Sequence, residues 1–193
     1  LLGLKPVGLV FLLALGLRCA SAWLSHCING DGTMLLYQAS IFAEEGWAKG
    51  VLSSGLHPLY PALLSLFDLK SSAGEMAGRG INIFFGALAV VPLLWLTMDI
   101  FQHRLTAVSA GVLYALSPYM VRVQSEVWSE GLYMFLFLVS MYWIWLAISR
   151  KRWPVYAVLG GVFGGCAYLT RPEGVGVLPA LFIFFICCLV RVL

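Results

Sequence analysis

Charged side chains are scarce in this chain. Only 11% of its 193 residues are Asp, Glu, Lys or Arg, whereas 61% are hydrophobic, and the mean hydropathy is +0.92. A soluble domain needs more charge than this to cover its surface, and a single buried core cannot hold so many apolar side chains. The composition therefore excludes an ordinary soluble domain and predicts a polytopic membrane protein.

Several familiar catalytic motifs are also absent. The sequence has no glycine-rich phosphate loop, no His-Glu-x-x-His pair and no Gly-x-Ser-x-Gly elbow. Its five cysteines form no metal-type spacing, and we interpret them as small packing residues, not as a disulfide framework. The net charge of +3 gives no indication of nucleic-acid binding.

Six apolar stretches in the sequence come close to the roughly 20 residues that cross a bilayer core. Their predicted ranges are 6–24, 79–98, 105–121, 130–148, 154–170 and 175–190. We therefore expect an all-α, polytopic membrane helix bundle with about six spans, in which residues 1–193 form one transmembrane module. Residues 25–78 form a long loop, apolar enough over 34–43 and 59–66 for two short helices that lie on the membrane surface.

The positive charges of the short loops predict the orientation of the module. Lys5, Arg104, the cluster at 150–152 and Arg191 all fall on one side of the predicted crossings, which the positive-inside rule makes cytoplasmic. The opposite, outer face then carries the long loop and most of the acidic residues. We expect chemistry at this face, because ionisable groups near the membrane are costly and usually have a function.

One acidic residue follows the first span directly. Asp31 lies in the stretch Asn29-Gly30-Asp31-Gly32-Thr33, whose glycines leave the backbone free to bring the carboxylate close to a substrate. It could then act as a general base or bind a metal ion. The structural alternative is that Asp31 caps the helix that follows.

Two further residues at the predicted outer boundary are candidate phosphate ligands. His57, in His57-Pro58-Leu59-Tyr60-Pro61, either caps a short helix or faces a lipid phosphate. Arg79 begins the second predicted span, and its guanidinium either reaches to the membrane interface or binds two oxygens of a phosphate.

The remaining candidates lie beside the third, fourth and fifth spans. Arg122, Glu126 and Glu130 are four residues apart, so on a helix they would share one face, with a structural salt bridge as the alternative. Glu130 opens the fourth span, where an ionisable group is expected to point into a cavity. Arg171 and Glu173 flank a proline at the end of the fifth span and form either a surface pair or part of the outer site.

Four motifs occur in order along the chain. They are Gly-Asp-Gly-Thr-x3-Tyr-x-Ala around Asp31, His-Pro-Leu-Tyr-Pro at 57–61 with Arg79-Gly80-x-Asn82 behind it, the acidic stretch from Arg122 to Glu130, and Leu-Thr-Arg-Pro-Glu-Gly at 169–174. Together they resemble the GT-C-fold glycosyltransferases that use polyprenyl-phosphate sugars, in particular the protein-mannosyltransferase and aminoarabinose-transferase-like family. Two positions depart from the family pattern: Gly32 stands where a second acidic residue is frequent, and Leu59 replaces the second proline of a Pro-Pro pair.

The resemblance implies an inverting, integral-membrane glycosyltransferase, of which this chain would be the N-terminal half. Asp31 and Glu130 would be catalytic, with Asp31 deprotonating or orienting the acceptor hydroxyl as it attacks the sugar C1. The residues implied to bind the donor phosphate are His57, Arg79 and Arg171. Those implied to contact or support the acceptor are Tyr37, Arg122, Glu126 and Glu173.

The implied partners are a polyprenyl-phosphate sugar lipid, a lipid, glycan or protein acceptor, and the membrane, without nucleic acid. No cofactor is assigned, and a divalent cation (Mg²⁺ or Mn²⁺) stays open because of the glycine after Asp31. The expected location is a bacterial inner membrane, with the site facing the periplasm or exterior. The alternative is a non-enzymatic lipid-binding or transport subunit on the same scaffold. A transporter should carry polar groups at mid-membrane, whereas the ionisable residues here are predicted to cluster at one face.

Overall fold

The computed structural model describes residues 3–25, 28–53, 57–69, 72–149, 153–179, 181–183 and 186. The regular elements in these ranges are the helices α1 (Leu4–Leu24), α2 (Gly30–Glu45), α3 (Trp47–Leu52), α4 (Leu59–Leu64), α5 (Ser72–Leu88), α6 (Val90–Phe101), α7 (Arg104–Leu116), α8 (Pro118–Val123), α9 (Glu130–Ser149) and α10 (Trp153–Thr170), and a 3₁₀ turn at Pro172–Gly176. The expected all-α class is confirmed.

Three of the described helices are long and apolar enough to cross a membrane. They are α1, the stretch Ser72–Phe101 formed by α5 and α6, and α9. The shorter apolar helices α7 and α10 pack against them, α7 on α1 and α6, and α10 on α9. The expected helical membrane bundle is thereby confirmed. Much of the predicted span 175–190, and the basic positions 150–152 and 191, lie outside the described residues.

Two predicted spans have different limits in the structure. The second begins at Ser72, ahead of residue 79, so the last part of the long loop is already helical. The third is interrupted at Ser117, whose side chain caps α8 by accepting a hydrogen bond from the N–H of Met120. Pro118 explains this break, because a proline disfavours helical geometry in the residue before it but fits the first turn of a new helix.

The long loop is mostly helical. α2 confirms the helix expected over 34–43 and ends at Gly46, whose φ of +86° is rarely adopted by residues with a Cβ. Gly50 lies within α3 and makes room for Phe42; a Cβ on Gly50 would lie 2.5 Å from that ring. α4 confirms the second loop helix.

The loop helices are fixed to one end of the bundle. Leu35 of α2 and Tyr60 and Leu64 of α4 form a buried cluster with Leu132 of α9 and Ala167 of α10. Burial of side chains of this size stabilises by about 1.5–3 kcal/mol each where they would otherwise meet water. We call this end of the bundle, which carries α2, α3 and α4, the loop end.

Residues 124–129 connect α8 to α9 at the loop end and are held by Asn82 of α5. The fully buried Asn82 amide donates to the carbonyl oxygens of Val123 and Glu126, each at 2.9 Å, and accepts from the N–H of Gly131 at 2.5 Å. Because the first N–H groups of a helix have no partner within it, Asn82 acts as a cap for α9 that is supplied by another helix. We call residues 124–129 the 124–129 turn.

Glycines allow the closest contacts between helices. A Cβ on Gly160 or Gly164 of α10 would lie 2.8 Å from Ile144 or 2.7 Å from Val177, respectively, as expected for tight packing. Gly161 of α10, in contrast, has no described atom within 4 Å of such a Cβ.

Candidate functional site

A cavity of about 220 Å³ opens at the loop end of the bundle. Its lining includes Asp31 from α2, His57 from the segment before α4, Ser129 from the 124–129 turn, and Thr170 and Arg171 from the end of α10. All four sequence motifs, which are far apart along the chain, therefore contribute to one cavity.

The helix α2 is capped by Asn29, not by Asp31. The Asn29 side-chain oxygen accepts a hydrogen bond from the N–H of Gly32 at 2.7 Å, and Asp31 lies in the first helical turn with its side chain exposed. The capping alternative for Asp31 is therefore wrong, because Asn29, two residues earlier, already performs this role. The Asp31 carboxylate is left available at the cavity wall.

Gly32 has a packing reason to be a glycine. A Cβ at this position would lie 2.9 Å from the carbonyl oxygen of Val127 in the 124–129 turn. A second acidic side chain next to Asp31 would therefore push α2 away from the turn. The departure from the family pattern at this position follows from close contact between these two segments.

Glu126 is hydrogen-bonded to Asn29, the residue that caps the helix carrying Asp31. The Asn29 amide nitrogen donates to Glu126 Oε2 at 2.9 Å, which ties the start of α2 to the 124–129 turn. The cap of α2 is thus held from both sides, by its own helix and by this turn. Glu126 is placed to support the position of Asp31.

Arg171 holds two carboxylates at the cavity wall. Its guanidinium donates to both oxygens of Glu173, at 3.1 and 3.0 Å, and forms an ion pair with Glu130 Oε1. Hydrogen bonding from Arg171 lowers the pKa of the Glu173 carboxyl. The second oxygen of Glu130 is buried and has no hydrogen-bond partner among the described residues. Glu130 itself is not among the residues that line the cavity, although its neighbour Ser129 and its partner Arg171 are.

His57 does not cap the helix that follows it. The N-terminal cap of α4 is Pro58, without a side-chain hydrogen bond, so the capping alternative for His57 is wrong. The imidazole instead packs edge-on against Tyr168 of α10, with ring centroids 5.1 Å apart. This contact holds the half-buried ring at the wall of the cavity.

Arg79 and Tyr37 do not line this cavity. The Arg79 guanidinium donates to Glu75 at 2.9 Å and to the carbonyl oxygens of Ala22 and Ser25 at 3.3 and 2.9 Å, which joins the end of α1 to α5. Tyr37 is 70% exposed, on a different face of α2 from Asp31.

Arg122, Glu126 and Glu130 do not share a helix face. Arg122 is exposed near the end of α8, and the 124–129 turn separates it from Glu130, which begins α9. The prediction of a shared face was wrong because it assumed a continuous helix through this turn.

Two buried polar residues were not predicted from the sequence. Arg18 of α1 and Gln124 of the 124–129 turn are both fully buried and hydrogen-bonded to each other. A signal was present, since a single arginine within an apolar span is unusual. Asn29 was missed although asparagine is among the preferred helix caps.

No group of three or more His, Cys, Asp or Glu side chains in the described part of the chain is arranged to hold a metal ion.

The described residues form a helical membrane bundle with ionisable side chains around a cavity at its loop end. Residues 57–192 match the family model of the dolichyl-phosphate-mannose-protein mannosyltransferases, and the chain belongs to this family. The resemblance inferred from the four motifs is thereby confirmed, and Asp31 lies ahead of the matched region. No curated protein and no solved structure matches the chain.

Proposed function

We propose that the chain forms the sugar-transferring part of a membrane glycosyltransferase that takes its sugar from a polyprenyl phosphate. The observation that carries this proposal is the meeting of Asp31, His57 and Arg171 at one cavity. A polyprenyl-phosphate sugar has an apolar tail and an anionic head, and a polar cavity at the end of an apolar bundle suits both parts. In this proposal the loop end faces the periplasm or exterior of a bacterial inner membrane.

Arg171 is our candidate for the residue that binds the donor phosphate. Its contact with Glu173 is bidentate, which is the geometry in which a guanidinium also binds phosphate oxygens. The Glu173 side chain is 54% exposed, so a phosphate can replace it at small cost, since exposed ion pairs contribute only about 0–1 kcal/mol. Glu130, whose side chain is 13% exposed, would stay paired with Arg171 during this exchange.

Asp31 is our candidate for the base. As the acceptor hydroxyl oxygen forms a bond to the sugar C1, Asp31 takes the hydroxyl proton. The bond from C1 to the phosphate oxygen breaks, and polyprenyl phosphate leaves with the electron pair. One displacement of this kind inverts the anomeric centre. Glu130 supports the acceptor side through its ion pair with Arg171, and His57 gives a further polar contact to the phosphate.

A transfer assay with a panel of polyprenyl-phosphate sugars, using the full-length protein, tests this proposal. We expect Asp31→Asn to lower kcat about 10²–10⁴-fold, the range for loss of a general base. Asparagine keeps the shape of the side chain and cannot accept the proton. Donor binding and folding should be unchanged, because Asn29 caps α2 independently.

Glu45→Gln is the matched control for this substitution. Glu45 lies on the same helix, and its exposed carboxylate pairs with Lys49 at 2.9 Å, away from the cavity. Turnover in this variant should equal that of the wild type. Full turnover in Asp31→Asn would remove Asp31 as the base, and donor binding without transfer by the wild type would favour a lipid-binding subunit.

A further inference from the structure

Arg18 is a fully buried arginine within the spanning helix α1. Its guanidinium donates from Nε to Oε1 of Gln124 at 2.8 Å and from Nη1 to the carbonyl oxygen of Ala14 at 2.9 Å, and it lies 5.2 Å from the centroid of the Tyr114 ring. Its Nη2 has no hydrogen-bond partner, and no carboxylate pairs with it, among the described residues. A buried charge of this kind is a poor means of stabilising a bundle, and buried ionisable groups within membrane spans usually have a function.

Gln124 is the residue through which Arg18 reaches the 124–129 turn. Its Nε2 donates to the Tyr114 hydroxyl at 2.9 Å, and that hydroxyl donates to the carbonyl oxygen of Gly86 at 3.0 Å. A Cβ on Gly86 would lie only 2.7 Å from Gln124 Oε1. The Gln124 side chain is thus hydrogen-bonded to Arg18 and Tyr114 and packs closely against Gly86.

The 124–129 turn carries the contacts that place both candidate catalytic carboxylates. Glu126 accepts a hydrogen bond from Asn29, which caps α2 and thereby orients Asp31. Glu130 is the first residue of α9, directly after the turn. A displacement of Gln124 would therefore shift the supports of both Asp31 and Glu130.

We infer that Arg18 is a positioning residue of the transfer site, which fixes Gln124 and, through the 124–129 turn, the placement of Asp31 and Glu130. The reaction it serves rests on the proposed function, whereas the coupling between Arg18 and the turn is a property of the fold. Arginine suits this place because its planar guanidinium donates in two directions while its face rests on an aromatic ring.

The test compares Arg18→Met with the wild-type full-length protein in the transfer assay. Methionine keeps much of the length of the side chain but loses both donors. We expect kcat to fall on the order of 10²-fold, the loss typical of a misplacement of about 1 Å. The KM for the donor should change little, because Arg171 and His57 are untouched. Arg18→Lys, which restores the charge and one donor, should recover part of the lost kcat.

A second measurement does not depend on activity. Hydrogen–deuterium exchange in nanodiscs should become faster at residues 124–130 and 29–35 in Arg18→Met, while exchange in α10 stays the same. Ser140→Ala is the matched control, since it removes a buried hydrogen bond of 2.7 Å to Gly160 that does not reach the turn. It should leave both kcat and exchange at these segments unchanged.

Wild-type kcat in Arg18→Met, or unchanged exchange at both segments, would overturn the inference. If the wild type transfers no sugar from any donor, the proposed function fails and exchange alone decides: faster exchange supports the coupling and unchanged exchange overturns it. Should Arg18→Met fail to accumulate, Gln124→Met removes the same contact from the other side and is judged by the same outcomes.

Discussion

Arg171 and Arg79 both lie at the loop end, but their surroundings give them different roles. Arg171 lines the cavity and holds the exposed carboxylate of Glu173. Arg79 holds Glu75 and backbone carbonyl oxygens at the end of α1. A phosphate can displace an exposed carboxylate from Arg171 easily, whereas on Arg79 it would have to separate two helices.

We predict that Arg171→Lys weakens binding of the polyprenyl-phosphate donor by about 1.5 kcal/mol, the value of one hydrogen bond to a charged group. Lysine keeps a charge for Glu130 but cannot bind two phosphate oxygens in the plane of one group. The melting temperature should change little. Donor titration and thermal unfolding, both in detergent, measure the two quantities.

Arg79→Lys is the matched comparison, with the opposite expected pattern. Its melting temperature should fall, because the contacts from α5 to the end of α1 are weakened, while donor affinity stays at the wild-type value. Equal losses of donor affinity in both variants would return Arg79 to the donor site.

The contact between α5 and α9 depends on Gly131. A Cβ at this position would lie 2.0 Å from the backbone oxygen of Asn82, and backbone cannot move aside as a flexible side chain can. We predict that Gly131→Ala destabilises the bundle. The loss should reach or exceed the roughly 1–3 kcal/mol that is typical of overpacking. It should also lower transfer activity, because Asn82 holds the 124–129 turn. Thermal unfolding in detergent, together with the transfer assay, measures both effects.

Gly161→Ala separates local crowding from the general effect of replacing a helical glycine. Its Cβ would meet no described atom within 4 Å, and alanine is favoured over glycine inside a helix by up to about 1 kcal/mol. This variant should unfold at or above the wild-type temperature. A Gly131→Ala protein as stable as Gly161→Ala would contradict the close contact described for α5 and α9.

The helices were largely predictable from the sequence, because long apolar runs such as those of α1 and α9 specify spanning helices by composition alone. Their limits were less predictable. The predicted third span continued past Pro118, where the structure has a break. The predicted second span began at residue 79, but the polar segment before it is helical from Ser72. In both cases the prediction followed local hydropathy, whereas the limits of the helices are set by backbone geometry or tertiary packing.

The sequence predicted those site residues that short local motifs mark, and it did not predict contacts between residues far apart along the chain. Asp31, His57 and Arg171 were selected as ionisable residues in short motifs, and they line one cavity. Two contacts of Arg79 are with backbone carbonyl oxygens more than 50 positions away, which no local pattern reveals. Arg18 was overlooked because one charge hardly changes the average hydropathy of α1.

The two ends of the bundle carry different charged residues. Lys5 at the start of α1 and Arg104 at the start of α7 line one groove, so these cations lie at the same end. Arg79 contacts the other end of α1, beside the long loop. At about 1.5 Å per residue, the 21 residues of α1 separate these ends by roughly the thickness of a bilayer core.

We predict that the end with Lys5 and Arg104 faces the cytoplasm and the loop end faces outward, because cationic short loops are retained in the cytoplasm. In a cysteine-free background of the full-length protein, Ser53→Cys should react with a membrane-impermeant maleimide added to intact cells. Ser53 ends α3 and is exposed at the loop end. Gln102→Cys, exposed between α6 and α7, is the control and should react only after the membrane is opened. The reverse pattern would place Asp31 in the cytoplasm, where a donor presented at the outer surface cannot reach it, and both the orientation and the proposed reaction would have to be abandoned.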